Sequence, residues 1–529
     1  MPSGNSNQPA KAESSSIFRK KDPEKLIQAS KAGDQSLKKS LTGFDLTVLG
    51  LGAIIGAGIF TLSGTAAAGS AGHIGAGPAL ILSFVISGTL CAIAALSYAE
   101  LAAMIPVAGS AYTYTYATLG EVIAWLTGWI LLLEYGIGCI TVACGWSGYL
   151  FKLLEGFHQF LPDWLINPPY WLTHEYHAAL HLYEQAGMTP YFPEILGIPI
   201  SVNLPAIFII ALMTLFLYIG IQESARIAAI MVIIKVAVIL GFILVGAWYV
   251  DPANWTPFMP NGFPGVFMGA FLVFFAYIGF DSVATAAEET KNPAKDLPIG
   301  ILTSLGICTI IYILVAAVLT GMVYYKDIDV HAPIAAAMQS TGTWFGNTVA
   351  GTISLGAVAG LSSVILVELL AVSRILFAMS RDGLLPKILS KVHKKFKTPH
   401  VITIVTGSLI AIGTLFLDIN KAAELCNVGT LTAFAMVCIG VIILRYTEPD
   451  RPRPFRAPFV PILPAFGAIC CIALILYTFF NPETPLILTL ILFSSWIAIG
   501  LITYFLYGRS HSVLRKELEE TKPPANNQE

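Results

Sequence analysis

Apolar runs of about 20 residues, parted by short polar stretches, recur along the chain from Leu46 to Tyr507. Each is long enough to cross a bilayer as a helix. Twelve are predicted, near 46–67, 79–103, 121–151, 203–220, 227–250, 264–287, 299–323, 346–379, 400–417, 422–445, 460–480 and 485–507. The run at 346–379 is long enough to tilt strongly or to project past the bilayer. This pattern predicts an all-α polytopic membrane protein with 12 transmembrane helices. Composition agrees: 56% of residues are hydrophobic and 12% charged, against roughly 25% charged in soluble domains. A string of soluble domains, which 529 residues would allow, is excluded.

Charge then orients the helices. Of the 30 Lys and Arg residues, Lys235 falls inside a span, and Lys152, Lys326 and Lys421 fall in alternate loops. The rest lie in the two tails, the other set of loops and their flanking helix ends. This positive-inside pattern places both termini in the cytoplasm. Residues 1–43 are polar, with no short apolar core and cleavage site. No signal peptide is expected, and the first span acts as an uncleaved anchor. The basic runs Arg19-Lys20-Lys21 and Lys387 to Lys397 read as topology and lipid-headgroup signals, with no nucleic-acid partner.

All eight cysteines fall in predicted spans without zinc-site spacing, and read as small packing residues. No cofactor or metal is expected. The largest outer loop, 152–202, is rich in aromatics and Pro and predicts one or two short surface helices. His174, His177 and His181 fall there at i, i+3 and i+7, which would put them on one helical face. A metal is conceivable on such a face, but the spacing is not His-Glu-x-x-His, and a solvated amphipathic helix is the default.

The first span holds the most informative stretch, Ile54-Ile55-Gly56-Ala57-Gly58-Ile59-Phe60. Glycine costs a helix about 1 kcal/mol relative to alanine, yet Gly50, Gly52, Gly56 and Gly58 crowd this one segment. A helix that unwinds here frees backbone groups, which persist in a membrane only when buried in protein or facing a watery cavity. Close helix packing through the Gly52-x-x-x-Gly56 spacing is the competing explanation. Five spans later the sixth reads Phe274-Phe275-Ala276-Tyr277-Ile278-Gly279-Phe280-Asp281-Ser282, with a mid-span glycine followed by an acid. Interrupted spans at matching positions predict two five-helix repeats of opposite orientation, with a binding site between them. The organisation expected is a tail at 1–43, repeats at 44–250 and 251–446, peripheral helices within 447–507, and a tail at 508–529.

These residues resemble the amino acid–polyamine–organocation transporters, most of all the cationic amino acid transporter branch. Phe44-Asp45-Leu46 leading into Gly52 to Phe60 resembles that family's first span, and Phe275 to Asp281 its sixth. Arg374-Ile375-Leu376-Phe377-Ala378-Met379-Ser380-Arg381-Asp382-Gly383-Leu384-Leu385-Pro386 resembles the cytoplasmic end of its eighth. Arg451 to Pro458 resembles the loop before its eleventh. Animal cationic amino acid transporters have fourteen spans, whereas the twelve here match bacterial relatives. The resemblance implies a leucine-transporter-like 5+5 inverted repeat with broken helices 1 and 6, set in a bacterial inner (plasma) membrane. It implies secondary active transport of neutral or cationic L-amino acids by alternating access, and no enzymatic activity.

Within that implied site, the amides around Gly56, Ala57, Gly58 and Ile59 open a half-helix and suit an α-carboxylate. Carbonyls freed at Ile54, Phe275, Ala276 and Ile278 suit an α-ammonium. Phe275 matches the family's aromatic gate. Lys235 matches its coupling lysine, implying that the proton is the coupling ion. A Glu at the position of Glu134 lies near the family's pocket, where it would face a cationic side chain or relay a proton with Lys235. Asp281 is expected to cap the second half-helix or to bridge to the outer gate. Ser362 and Ser363 stand where sodium-coupled relatives place hydroxyl ligands, so a sodium-coupled carrier stays open, as do an exchanger and a receptor or channel on the same fold. Oligomeric state is not set by these features.

Overall fold

The computed structural model describes residues 17–24 and 41–520, apart from 71, 72, 108, 158, 159, 196, 220, 397 and 481–485. The tail residues 1–16, 25–40 and 521–529 lie outside this description. In chain order the main helices are α1 (Gly43–Ile54), α2 (Ser63–Ala68), α3 (Leu80–Met104), α4 (Ser110–Thr118), α5 (Glu121–Glu155), α6 (Tyr176–Gln185), α7 (Leu204–Ile219) and α8 (Ile221–Gly246). Then follow α9 (Gly262–Phe274), α10 (Pro293–Met322), α11 (Pro333–Gln339), α12 (Trp344–Arg381), α13 (His400–Gly413), α14 (Ile419–Thr447), α15 (Ile462–Phe480) and α16 (Ile487–Thr503). Among the described residues helix occupies most of each predicted apolar run. Among the described residues nine helical segments are long and apolar enough to cross a membrane, or ten with α1 and α2 as one bent span. α7 and α13 are shorter apolar helices of 16 and 14 residues.

Local chemistry sets the ends of these helices. Thr42 and Asp45 form a capping box before α1: the Asp45 amide donates to the Thr42 hydroxyl, and the Thr42 amide donates to the Asp45 carboxylate at 2.8 Å. Asp418 caps α14 by accepting from the amides of Asn420 and Lys421 at 2.7 and 3.0 Å. Burial separates centre from periphery. The most apolar stretch of Gly262–Glu289 is 83% buried, whereas that of Ile487–Glu520 is 17% buried. The segment continuing the sixth predicted run therefore lies deep in the bundle, and α16 clads its outside.

The outer loop contains α6 and a short helix at Asp163–Ile166, as its composition predicts. It also holds a two-residue antiparallel hairpin, Glu194–Ile195 with Ile198–Pro199, within an otherwise helical fold.

Both described terminal segments meet at one end of the bundle. Glu121, fully buried at the start of α5, accepts from Arg19 at 2.7 Å, from the hydroxyls of Tyr116 and Tyr504 at 2.9 Å each, and from Ser512 at 2.5 Å. Beside it, Asp382 accepts from Lys21 at 2.5 Å and from the Tyr112 hydroxyl at 2.6 Å, while its carbonyl accepts from the Val513 amide.

Candidate functional site

α1 stops at Ile54 because Ile55 turns to an extended conformation (φ −75°, ψ 95°). The chain resumes as a π-helical turn, Gly58–Leu62, that runs into α2, with a bend of 43° between the halves. Three carbonyls freed by the break are satisfied from other elements. Tyr312 of α10 donates its hydroxyl to the Ile54 carbonyl at 2.9 Å. Lys235 of α8 donates to the carbonyls of Gly52 and Ile55 at 2.5 and 2.8 Å. On the far side of the break, the Ile59 and Phe60 amides both donate to the Gly56 carbonyl at 3.2 Å. Among the described residues no acceptor lies within reach of the Gly56, Ala57 and Gly58 amides. Of the four expected amides, those of Gly56, Ala57 and Gly58 are open. Ile59 is already paired, and the Ile54 carbonyl already has a donor.

The second break follows α9. A 3-10 turn at Phe275–Tyr277 gives way to extended Ile278, then to Gly279 at φ 111°, a left-handed conformation that favours glycine. A 3-10 segment, Phe280–Glu289, continues the span. The Phe275 carbonyl accepts from the Ile278 amide, whereas those of Ala276 and Ile278 have no donor among the described residues. The two breaks touch. A Cβ on Gly58 would sit 2.2 Å from Ala276 Cα, and one on Gly279 2.9 Å from Ala53 Cβ. The glycines thus serve both packing and unwinding: they let two broken segments cross backbone to backbone. The Phe275 side chain is buried beside this crossing.

Around the crossing stand the ionisable side chains. Lys235 is fully buried and completes its donor set on Ser363 Oγ at 3.2 Å. Ser362 instead accepts from the Trp146 indole at 2.9 Å. Asp281 is fully buried; its carboxylate accepts from the Tyr135 hydroxyl, and its carbonyl from Ser110 at 3.3 Å. The N-cap of its segment is Gly279, with no side-chain cap, so Asp281 does not cap it. Ser110 opens α4, which leads directly to Glu121, so Asp281 is tied toward the end of the bundle that holds both tails.

Glu134, fully buried on α5, has no hydrogen-bond partner for either oxygen among the described residues. It does not pair with Lys235, whose donors reach Gly52, Ile55 and Ser363. A third acid joins them that the sequence reading missed: Glu368 of α12, 3% exposed. An isolated acid in an apolar run marks Glu368 as plainly as Glu134.

The three outer-loop histidines do not share a face. His177 and His181 are exposed on α6, whereas His174 precedes the Glu175 N-cap and turns toward His331 of a neighbouring loop, with ring centroids 6.3 Å apart. Among the described residues no group of three His, Cys, Asp or Glu side chains is placed to hold a metal. Burial, aided by the neighbouring His331, lowers the His174 imidazole from 6.5 to about 4. Between those values the folded loop binds fewer protons than the unfolded one, so its stability falls as pH drops from 6.5 toward 4. Hydrogen exchange over 170–203, corrected for the intrinsic effect of pH, is expected to accelerate across that window. It should stay flat in His174→Asn; equal protection of the native loop at both ends of the window would refute the assignment.

Residues 41–504 match the amino acid permease family. The chain is 47% identical to a branched-chain amino acid permease of Bacillus subtilis, over 95% of this chain and 99% of that protein. It is 45% identical to a methylthioribose transporter of the same organism, over 95% and 100%. It is 40% identical to the chloroplastic cationic amino acid transporter 9 of Arabidopsis thaliana, over 79% and 68%.

Proposed function

Because the chain belongs to the amino acid permease family, and is thus a multi-pass membrane permease rather than an enzyme, we propose that it is a secondary active, proton-coupled carrier of L-amino acids. Its twelve apolar segments form two inverted five-helix repeats and two peripheral helices. Both termini face the cytoplasm of a bacterial cell, and the carrier sits in the inner membrane. The open amides of Gly56, Ala57 and Gly58 hold the α-carboxylate, and the Ala276 and Ile278 carbonyls hold the α-ammonium. Phe275 gates the occupied site, and Asp281 belongs to the inner gate through Tyr135 and Ser110.

The observation that carries this reading is the Lys235 ammonium, which holds the end of α1 through the carbonyls of Gly52 and Ile55. An ammonium has three donors, and here it has three acceptors. Losing one proton removes a donor and the charge together, so the hold of α8 on the end of α1 is loosened. Protonation of Lys235 is thereby coupled to movement of α1 against α8. Sodium is the weaker candidate, because Ser363 already accepts from Lys235 and Ser362 from Trp146.

In proteoliposomes under an inward proton gradient without sodium, labelled leucine, alanine, arginine and lysine test the proposal, with methylthioribose as a fifth solute. Concentrative uptake of at least one amino acid is expected. A requirement for sodium by every one of them would remove proton coupling. Movement of methylthioribose alone would remove the zwitterion assignment, since that neutral sugar thioether has neither charged end.

A further inference from the structure

At the end of the bundle that holds the tails, a cleft of about 550 Å³ opens between α10 and the loop before α15. Lys295, Pro298, Leu302 and Thr303 from the first turns of α10 form one wall, and Pro454 and Phe455 from the loop form the other. Its place at that end is fixed by a backbone contact. The Lys291 amide, just ahead of α10, donates to the carbonyl of Leu41, just ahead of α1, at 2.9 Å.

The loop wall is anchored from behind. Glu100 of α3 accepts from Arg445 and from the Ala457 amide, each at 2.8 Å, and Arg453 stands 3.3 Å from it. Arg451 pairs with Glu448 at 2.7 Å. This frame holds Pro454 and Phe455 opposite α10. Two cations stay outside the frame. Lys295 lines the cleft and Arg456 directly follows Phe455; both are exposed, and among the described residues neither pairs with a carboxylate. The acid next to Lys295 in the chain, Asp296, is occupied elsewhere. One of its oxygens accepts from the Asn292 amide at 3.2 Å, and the other faces Gly43, 3.4 Å from where a Cβ would stand.

From Lys295 to Thr303 the helix rises about 12 Å, less than half of a hydrocarbon core about 30 Å thick. The cleft thus belongs to one leaflet, with its cations at headgroup level and apolar walls beneath. A phospholipid has the same profile, with phosphate at one end and an acyl chain below. The start of α10 adds the positive end of a helix dipole at the same level. A helix from a second copy packed into the cleft would bury the Lys295 ammonium without an acceptor, which is costly. A choline or ethanolamine headgroup would bring a third cation to the two already there.

We propose that this cleft is a binding site for an anionic phospholipid of the leaflet on the tail side. Lys295 and Arg456 hold its phosphate, and Pro298, Leu302 and Phe455 hold an acyl chain.

The test uses the purified full-length protein in a neutral detergent, with lipid retention read by native mass spectrometry and stabilisation by the midpoint of thermal unfolding. Phosphatidylglycerol should be retained and should raise the midpoint. Phosphatidylcholine with the same acyl chains should do so more weakly, and inorganic phosphate not at all. Lys295→Gln combined with Arg456→Gln should weaken phosphatidylglycerol binding by about tenfold or more. Thr303→Trp, which fills the cleft from an exposed position, should weaken both lipids. Lys394→Gln combined with Lys395→Gln removes two exposed cations from another loop and should leave binding at the native level. Native protein that binds phosphatidylcholine as well as phosphatidylglycerol overturns the proposal without any variant. Equal losses in the two double variants overturn it too, since surface charge alone would then account for binding. Stabilisation by inorganic phosphate to the same extent would replace the lipid with a free anion.

Discussion

Gly58→Ala is expected to abolish uptake. The added methyl would lie 2.2 Å from Ala276 Cα and 2.6 Å from its amide nitrogen, and all of these are backbone atoms that no rotamer change can move aside. Overpacking costs about 1–3 kcal/mol and occasionally more. With both broken segments needing to part by over an ångström, the upper end applies, about 3 kcal/mol or a factor of about 150 in the equilibrium between crossed and parted forms. The crossing would open and the paired donors and acceptors would lose register. Uptake in proteoliposomes should fall at least ~100-fold, with a lower midpoint of thermal unfolding. Gly306→Ala is the control, since a Cβ there meets nothing within 4 Å. Native uptake by Gly58→Ala would mean the breaks need not touch for transport.

Lys235→Met should leave the chain inserted but unable to accumulate substrate. Removing the ammonium orphans the carbonyls of Gly52 and Ile55, each at about 1–3 kcal/mol when buried. Counterflow, in which labelled substrate exchanges against a preloaded pool, separates binding from coupling. The gradient-driven accumulation ratio should fall to about one, the value for a carrier without coupling, while counterflow persists at a reduced rate. Lys235→Arg sharpens the test. A guanidinium keeps its charge at all relevant pH, so it can hold the end of α1 but cannot release a proton. Normal accumulation by Lys235→Arg would show that Lys235 holds the break without carrying the proton.

The helices, both breaks and the central lysine are legible in the sequence for one reason: each violates a local rule inside an apolar run. Glycines crowd where helix is wanted, and a lone charge sits where lipid would be. What completes the site is not legible, because the partners come from far along the chain. Tyr312 reaches Ile54 across 258 residues, and Tyr135 reaches Asp281 across 146. Neither tyrosine is distinguished from the other aromatics of its span until the fold brings it in. Asp281 illustrates the same limit. Its position after a break suggests a cap, but whether the next segment starts on its side chain or on Gly279 depends on the backbone turn. Glu368 differs again: its signal is present in sequence, but its meaning comes from the absence of a cation near it in space.

The meeting of the tails at Glu121 bears on how the molecule is assembled. Its donors arrive in a fixed order of synthesis: Arg19 precedes it by 102 residues, while Tyr504 and Ser512 follow by 383 and 391. A nascent chain stopped short of α16 would hold this buried carboxylate with only Arg19 and Tyr116 to answer it. The last segments made therefore complete a polar centre begun by one of the first, and a chain that lacks them keeps that end of the bundle unfinished.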